Sequence, residues 1–495
     1  MNAISNSYLI SKFIQVTSLS YKFHTINESH RHLYSRQHNN KNLVNPMEFN
    51  LPTRTHHLIP LILMLMGLMI TFKSMAQETD YEDQTIRFQS TYMWQKKPSF
   101  QTKYSGQNSL SAEAEKSYTA TITGFFGFRP WQGAEIYLNP ELTQGVPFSG
   151  LNGTAAFSNG ELTRTGTTEP KLYRQRLFLR QTVNLGGEAI KVESGLNQMA
   201  GTIDKNRWVL TLGNFSTLDV FDGNAYAKDP RVQFMNAGFM APLAYDYAAD
   251  ARGFGFGFAS EWYQGDWVYR VGRMTGPKDP NMLATDFKIF KHYGDQAEIE
   301  HAHTLFGQPG KVRFLAWRNR AKLASFQDAL EYLMANPNSN AQAIFAVRGS
   351  DKIKYGLGIN LEQAITNDLG FFLRAMQADG KTETLAFTET DASLGAGFSL
   401  KGSAWQRPKD TLGLGYIRNT LSDERRRYLA AGGISFFLGD GKLNYQPEQV
   451  FETYYSANVW KDLYVTADYQ RMLNPGYNSD RGVVNFAALR FHIEY

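Results

Sequence analysis

From Gln77 onward the chain is written in segments of roughly ten residues in which apolar and polar side chains alternate. In TIRFQSTYMW, Ile86, Phe88, Tyr92 and Trp94 share one face, and Arg87, Gln89 and Thr91 the other. YTATITGFFGF sets Tyr118, Ala120, Ile122, Phe126 and Phe128 against Thr119, Thr121 and Thr123. What joins these segments narrows the fold further. Short turns (Pro130–Gly133, Gln264–Asp266, Trp460–Asp462) alternate with long ones (Thr143–Lys171, Gly276–Gly294, Asn474–Gly482). Strands long enough to cross lipid when tilted, with short turns at one end and long loops at the other, predict an all-β, transmembrane antiparallel β-barrel. Closure lets every backbone N–H and C=O find a partner, which lipid demands.

We expect about sixteen strands, from Thr85–Trp94 at the start to Val483–Tyr495 at the end. Thr420–Gln449 decides the number: read as one external loop it gives sixteen, read as a further hairpin it gives eighteen. Gly186–Asn206 is expected to be an enlarged periplasmic turn. The final strand, ALRFHIEY, puts Leu489, Phe491, Ile493 and Tyr495 on one face, as in terminal strands read by the barrel-assembly machinery. Aromatics make up 14% of the chain, enough to girdle a barrel at both interfaces.

The net charge of +5 comes from the N-terminus. Residues 1–76 hold seven Lys/Arg and two Asp/Glu, and removing them leaves 51 − 7 = 44 basic against 46 − 2 = 44 acidic residues. The remainder is neutral, so nucleic acid is not an expected partner. Arg54, His56 and His57 precede an apolar run, Leu58–Phe72, and Ser74-Met75-Ala76 follows it. This is the pattern of a signal peptide cleaved after Ala76. Residues 1–46 are expected to be a gene-model extension or unstructured, 47–76 the signal peptide and 77–495 the barrel. With no cysteine there is no disulfide framework.

One long segment breaks the alternation. Phe215–Arg252 carries Phe221, Tyr226, Phe234, Phe239, Tyr245 and Tyr247 among many charges. A loop this long is functional or disordered, and disordered loops are poor in aromatics. It is the third external loop, expected to fold into the barrel and narrow the pore. The candidate constriction residues are Asp222, Asp229, Arg231, Asp250 and Arg252, with Asp219 and Asp246 beside them. On the facing wall Arg174, Arg176 and Arg180 are spaced by two and four residues, hence expected on one face, with Glu135, Tyr137 and Glu141 on the strand before. Such groups suit a sugar: charged groups bond its hydroxyls, rings pack on its C–H faces, and release must stay easy. The competing role is structural, as ion pairs pinning the loop to the wall. For Asp222, Asp229 and Asp250 turn capping is a further rival.

Several segments, in this order, resemble the carbohydrate-selective porin (OprB) family. They include WQGAEIYLNPELTQG (Trp131–Gly145), AAFSNGE (Ala155–Glu161), LGNFSTLDVFDGNAYAKDPRVQF (Leu212–Phe234), YDYAADARGFGFG (Tyr245–Gly257), IEHAHTLFGQPGK (Ile299–Lys311) and NPGYNSDRG (Asn474–Gly482). The resemblance implies a sixteen-stranded outer-membrane porin through which small sugars, monosaccharides, diffuse passively into the periplasm, as a monomer or homotrimer in outer-membrane lipid.

The alternatives are a general or organic-acid channel, a polysaccharide exporter, a plugged structural barrel, or a barrel enzyme. An enzyme needs a nucleophile and base, and no such motif appears. His301 and His303 share a face, but two histidines alone make no zinc site. Glu298 and Glu300 read as pore-facing charges; Glu424-Arg425-Arg426-Arg427 reads as a solvated basic run of an external loop, with binding to anionic lipid sugars as the rival. No catalytic residue, metal or cofactor is expected.

Overall fold

The structure, a computed structural model, describes residues 80–162, 166–337, 342–387 and 389–495. The expected leader and the extension before it lie outside the described residues. The strands are β1 (Gln84–Lys97), β2 (Glu115–Phe128), β3 (Ala134–Val146), β4 (Lys171–Asn184), β5 (Ala189–Val192), β6 (Gly201–Asp204), β7 (Arg207–Phe215), β8 (Gly255–Gln264) and β9 (Trp267–Met274). They continue as β10 (Tyr293–Leu305), β11 (Gln308–Lys322), β12 (Asp351–Ala364), β13 (Leu369–Ala378), β14 (Ala392–Gly402), β15 (Arg407–Thr420), β16 (Glu448–Trp460), β17 (Leu463–Leu473) and β18 (Val483–Glu494).

All but β5 and β6 close into one antiparallel barrel of sixteen strands, in which β1 pairs with β18. The last residue completes the seam: Phe88 and Tyr495 exchange both backbone hydrogen bonds at 2.8 Å. Thr420–Gln449 is a single loop carrying the helix Asp423–Ala430, so sixteen is the count and eighteen is not. In that helix Arg425 is buried against Asp391 (3.2 Å) and the Phe326 ring, so the basic run is not uniformly solvated.

Burial is inverted relative to a soluble sheet. Outward residues are apolar and exposed, as in Leu357 (65%) and Phe314 (57%), while Arg490 (0%) and Glu452 (1%) are buried on the inner face. Lipid rewards apolar groups outside and leaves charged groups only the lumen.

The third external loop folds into that lumen. Phe234 and Phe239 stack at 4.4 Å and meet Phe372 and Tyr454 of the wall. The wall makes room with glycine: a Cβ on Gly415 would collide with the Phe239 ring, and one on Gly370 with Tyr226. Loop backbone groups leave water and find side chains of the wall. Glu452 accepts from Met235 N (2.5 Å) and Asn236 N (3.1 Å), Arg490 donates to Pro230 O (2.8 Å) and Gln233 O (2.6 Å), and Arg374 donates to Phe239 O (2.8 Å). Part of the second external loop enters too, with Glu448 accepting from Ala156 N at 2.8 Å.

These bonds predict a separable effect. Glu452→Leu leaves two buried amides without acceptors, costing about 1–3 kcal/mol each. The barrel should still insert, but trypsin should cut at Lys228 or Arg231 much faster than in the native protein. Unchanged cleavage would show that the aromatic contacts alone hold the loop.

Candidate functional site

The inner wall of β8–β12 carries a continuous ladder of alternating charge. Arg270 bonds Glu261 (2.9 Å), Glu298 (2.8 Å) and Glu300 (3.0 Å), and Arg313 bonds Glu300 (2.7 Å) and Glu362 (3.2 Å). Every second residue of these strands faces inward, and register brings the charged ones side by side: Arg270 opposite both Glu261 and Glu298, Glu300 opposite Arg313. Glu298 and Glu300 are thus pore-side charges, as expected. Glu298 also accepts from the Asp222 amide at 2.8 Å, fixing the loop to the ladder.

The candidate residues separate into distinct roles. Arg176 forms a two-pronged pair with Asp219, both contacts at 2.7 Å. Arg231 is buried between Glu141 and Glu161, at 2.7 Å from each, so a loop cation neutralises one wall carboxylate and one from the second external loop. Asp222 is also buried, bonded by Asn360 (2.6 Å) and 3.4 Å from Arg374. Asp229 caps Arg231 N (2.8 Å), and Asp250 accepts from Arg252 N (2.9 Å) and Phe254 N (3.2 Å), so both act as turn caps. Asp246 accepts from Leu385 N and Ala386 N, both at 2.8 Å. Arg252 lies over the Tyr173 ring.

Arg174 departs from the expected face. It pairs with Pro140 and points outward, whereas Arg176 pairs with Asn139 and points inward. Gln175 is the extra residue of a β-bulge, and one inserted residue reverses the alternation. Two-residue spacing therefore did not keep Arg174 and Arg176 on one side.

Beneath the loop lies a chamber of about 510 Å³. Its roof includes Asp219 and Lys228, and its wall includes Arg180, Glu135, Tyr263 and the ladder. Its floor is Gly186–Asn206, which is more than a turn: β5 and β6 pair as a hairpin, and the tip between them reaches back to the wall. Arg180 donates to Asn197 O (2.9 Å), Arg129 to Ala200 O (2.9 Å), and Glu82 accepts from Ala200 N (2.7 Å). Glu135 is held by Arg129 (2.8 Å), Arg180 (3.5 Å) and the Tyr137 hydroxyl (2.9 Å). His301 and His303 lie outside this site, His301 stacked on Trp267 and His303 bonded to Gln363.

The sequence matches the carbohydrate-selective porin, OprB family over residues 128–495. The chain belongs to that family. Its fold is that of the Pseudomonas putida OprB structure solved at high pH: TM-score 0.62 at 16% identity, covering 87% of this chain and 97% of that one. The outer membrane channel DcaP of Acinetobacter baumannii is also similar, with TM-score 0.45 at 11% identity over 83% of this chain and 97% of that one. No curated protein matches. The protein is an outer-membrane sugar diffusion channel.

In this OprB-family barrel the sequence reading overlooked Glu161, Lys228, Arg270, Arg313 and the hairpin tip as parts of the lumen. Arg270 and Arg313 were legible in principle, as inward positions of alternating strands. Glu161 and the tip were not, since nothing local says that a loop re-enters a barrel.

Asp219 lies in the loop, outside the strands. Enclosure in the lumen works against its ionisation, but the Arg176 guanidinium outweighs this and holds the carboxyl below the usual range. A depressed folded pKa means the Arg176–Asp219 contact is fully formed above the unfolded pKa of about 3.9. It is lost only as pH falls through the still lower folded value. The part of the single-channel conductance that depends on the Arg176–Asp219 contact, read as the difference between the native protein and Arg176→Ala, should therefore hold steady from neutral pH through pH ~5 and shrink only in stronger acid. Arg176→Ala should show the altered conductance at all pH values. Arg231→Ala strands two buried carboxylates and should destabilise the protein by about 3–5 kcal/mol, read from denaturant midpoints.

Proposed function

We propose that the chamber beneath the third external loop is where monosaccharides are selected on their way to the periplasm. One observation carries this reading: a sugar-sized space, within the range of about 300–1,000 Å³ common for small-molecule sites, flanked by a rigid charge ladder and by the rings of Tyr263 and Phe178. Guanidinium and carboxylate groups already neutralised by each other attract no strong counter-ion. They still offer hydrogen bonds at fixed positions to a neutral polyol. Binding through a few such bonds, next to water, stays weak enough for passage. Arg176, Arg180, Glu135 and Asp219 shape the opening, while Arg231, Glu141 and Asp222 fix the loop that forms its roof.

A channel for small organic acids is the second reading. It draws on the chamber lining, where cations outnumber carboxylates and Lys228 stands in the roof. We ascribe no catalytic step to this barrel. Its terminal strand is taken to be the signal read by the barrel-assembly machinery, and its assembly to be monomeric or homotrimeric.

Liposome swelling with the purified protein separates these readings. Glucose and xylose should enter faster than a neutral non-sugar of matched size, and faster than an organic acid. Arg270→Ala should reduce that preference while leaving total ion conductance equal or higher. Equal rates for all small solutes would mean general diffusion, and a faster organic acid would favour the second reading.

A further inference from the structure

On the lipid-facing side of β9–β12 the surface changes character within one register step. Tyr269, Ile299, Phe314 and Ile359 form one row across the four strands, and Val271, Ala297, Ala316 and Leu357 the next. The row above, toward the long loops, is Arg273, Asp295, Arg318 and Tyr355. Two residues of strand span about 7 Å, so apolar surface gives way to charge almost at once. Asp295 is shared by both neighbours: Arg273 approaches at 2.7 Å and Arg318 at 2.9 Å. The Tyr293 ring lies under both guanidiniums, 3.9 Å from Arg273 and 5.7 Å from Arg318. Higher still come Arg320, 3.3 Å from Asp351, and Lys322. On the strands four cations thus face two carboxylates, 4 − 2 = +2, on the outside of the barrel, and the adjoining loop adds Asp286, linked through His292 to Asp351.

The fourth external loop, residues 275–292, adds a second feature beside this patch. It exposes Phe287 (66%) and Phe290 (85%), with exposed Lys288 and Lys291 interleaved. Phe287 packs on Phe256, an outward residue of β8, with ring centroids 5.1 Å apart. The outward Arg174 lies over that same Phe256 ring at 5.4 Å. The loop therefore places large apolar rings next to lysines at the rim of the lipid band.

We propose that this sector binds a phosphorylated glycolipid of the outer leaflet. Charge so close to lipid-exposed apolar rows is costly unless it meets head groups, and Arg on an outer face is tolerated toward the interface. An excess of guanidinium over carboxylate selects an anion, and planar guanidiniums match a phosphate two-pronged. The exposed phenylalanines offer the acyl chains a hydrophobic contact while the lysines stay with the head group, the division of labour of an interfacial segment. Asp295 keeps Arg273 and Arg318 aligned as a pair. The site lies outside the lumen, so it is independent of which solute the pore admits.

The test uses the full-length protein in detergent and native mass spectrometry with three probes: bisphosphorylated lipid A, the same lipid with both phosphates removed, and phosphatidylglycerol. Bisphosphorylated lipid A should bind to the native protein at least about tenfold more tightly than either other probe. Arg273→Gln with Arg318→Gln should lose about that factor, while Asp295→Asn alone should keep it or bind more tightly. Native single-channel conductance in the double variant establishes that the barrel is intact. Equal retention of dephosphorylated lipid, equal retention of phosphatidylglycerol, or unchanged binding in the double variant overturns the proposal. So does a double variant that merely dissociates from oligomer to monomer with no change in lipid binding, which would make the patch a contact between copies.

Discussion

Lipid offers no hydrogen bonds, and from that single deficit most of this structure follows. A sheet inside a membrane must close, so β1 pairs with β18 and the final residue bonds Phe88. Once closed, the sheet has only two environments, and side chains sort accordingly. Across the lipid band leucine, phenylalanine and valine mostly turn outward, and arginine and glutamate turn inward, where they pair with one another. The ladder from Glu261 through Arg270, Glu300 and Arg313 to Glu362 is the result. It presents ion-paired polar groups to the lumen at positions set by strand register.

The same requirement explains the loop. A segment that leaves solvent must have every backbone group answered. The wall answers with long side chains: Glu452, Arg374, Arg490 and Glu298 each bond the loop backbone. Charged residues in this lumen therefore serve two ends. Some, such as Arg231 with Glu141 and Glu161, are consumed by holding the loop. Others, such as Arg180 and Asp219, border the open chamber. Spacing alone does not separate the two groups. What separates them is whether a loop happens to lie over a given stretch of wall.

Constraint by lipid also gives the outside its meaning. Most outward strand residues are apolar, so Arg273, Asp295 and Arg318 stand out as a row. Charge there marks the level at which lipid tails end, and the exposed aromatics of residues 275–292 lie beside it. Transport inside and lipid contact outside are thus served by alternate residues of the same strands.

All sixteen barrel strands were legible in the sequence because period-two alternation and turn chemistry are local. A strand reports its own two faces without reference to its neighbours. The aromatic content of Phe215–Arg252 likewise announced an ordered loop. Three things were not legible. The bulge at Gln175 turned Arg174 outward, and a single inserted residue leaves no local mark among so many polar side chains. The hairpin of β5 and β6 reaching back to Arg129 and Arg180 depends on residues far apart in the chain. So does the meeting of Arg231 with Glu141 and Glu161. The sequence by itself determined a closed barrel with a polar lumen and one long ordered loop, since lipid imposes alternation residue by residue; that this loop, and part of the second, turn inward was decided by the structure. Which lumen charges pair, and which stay open to a solute, was decided only by tertiary structure, because ion pairing depends on distances that closure of the barrel creates.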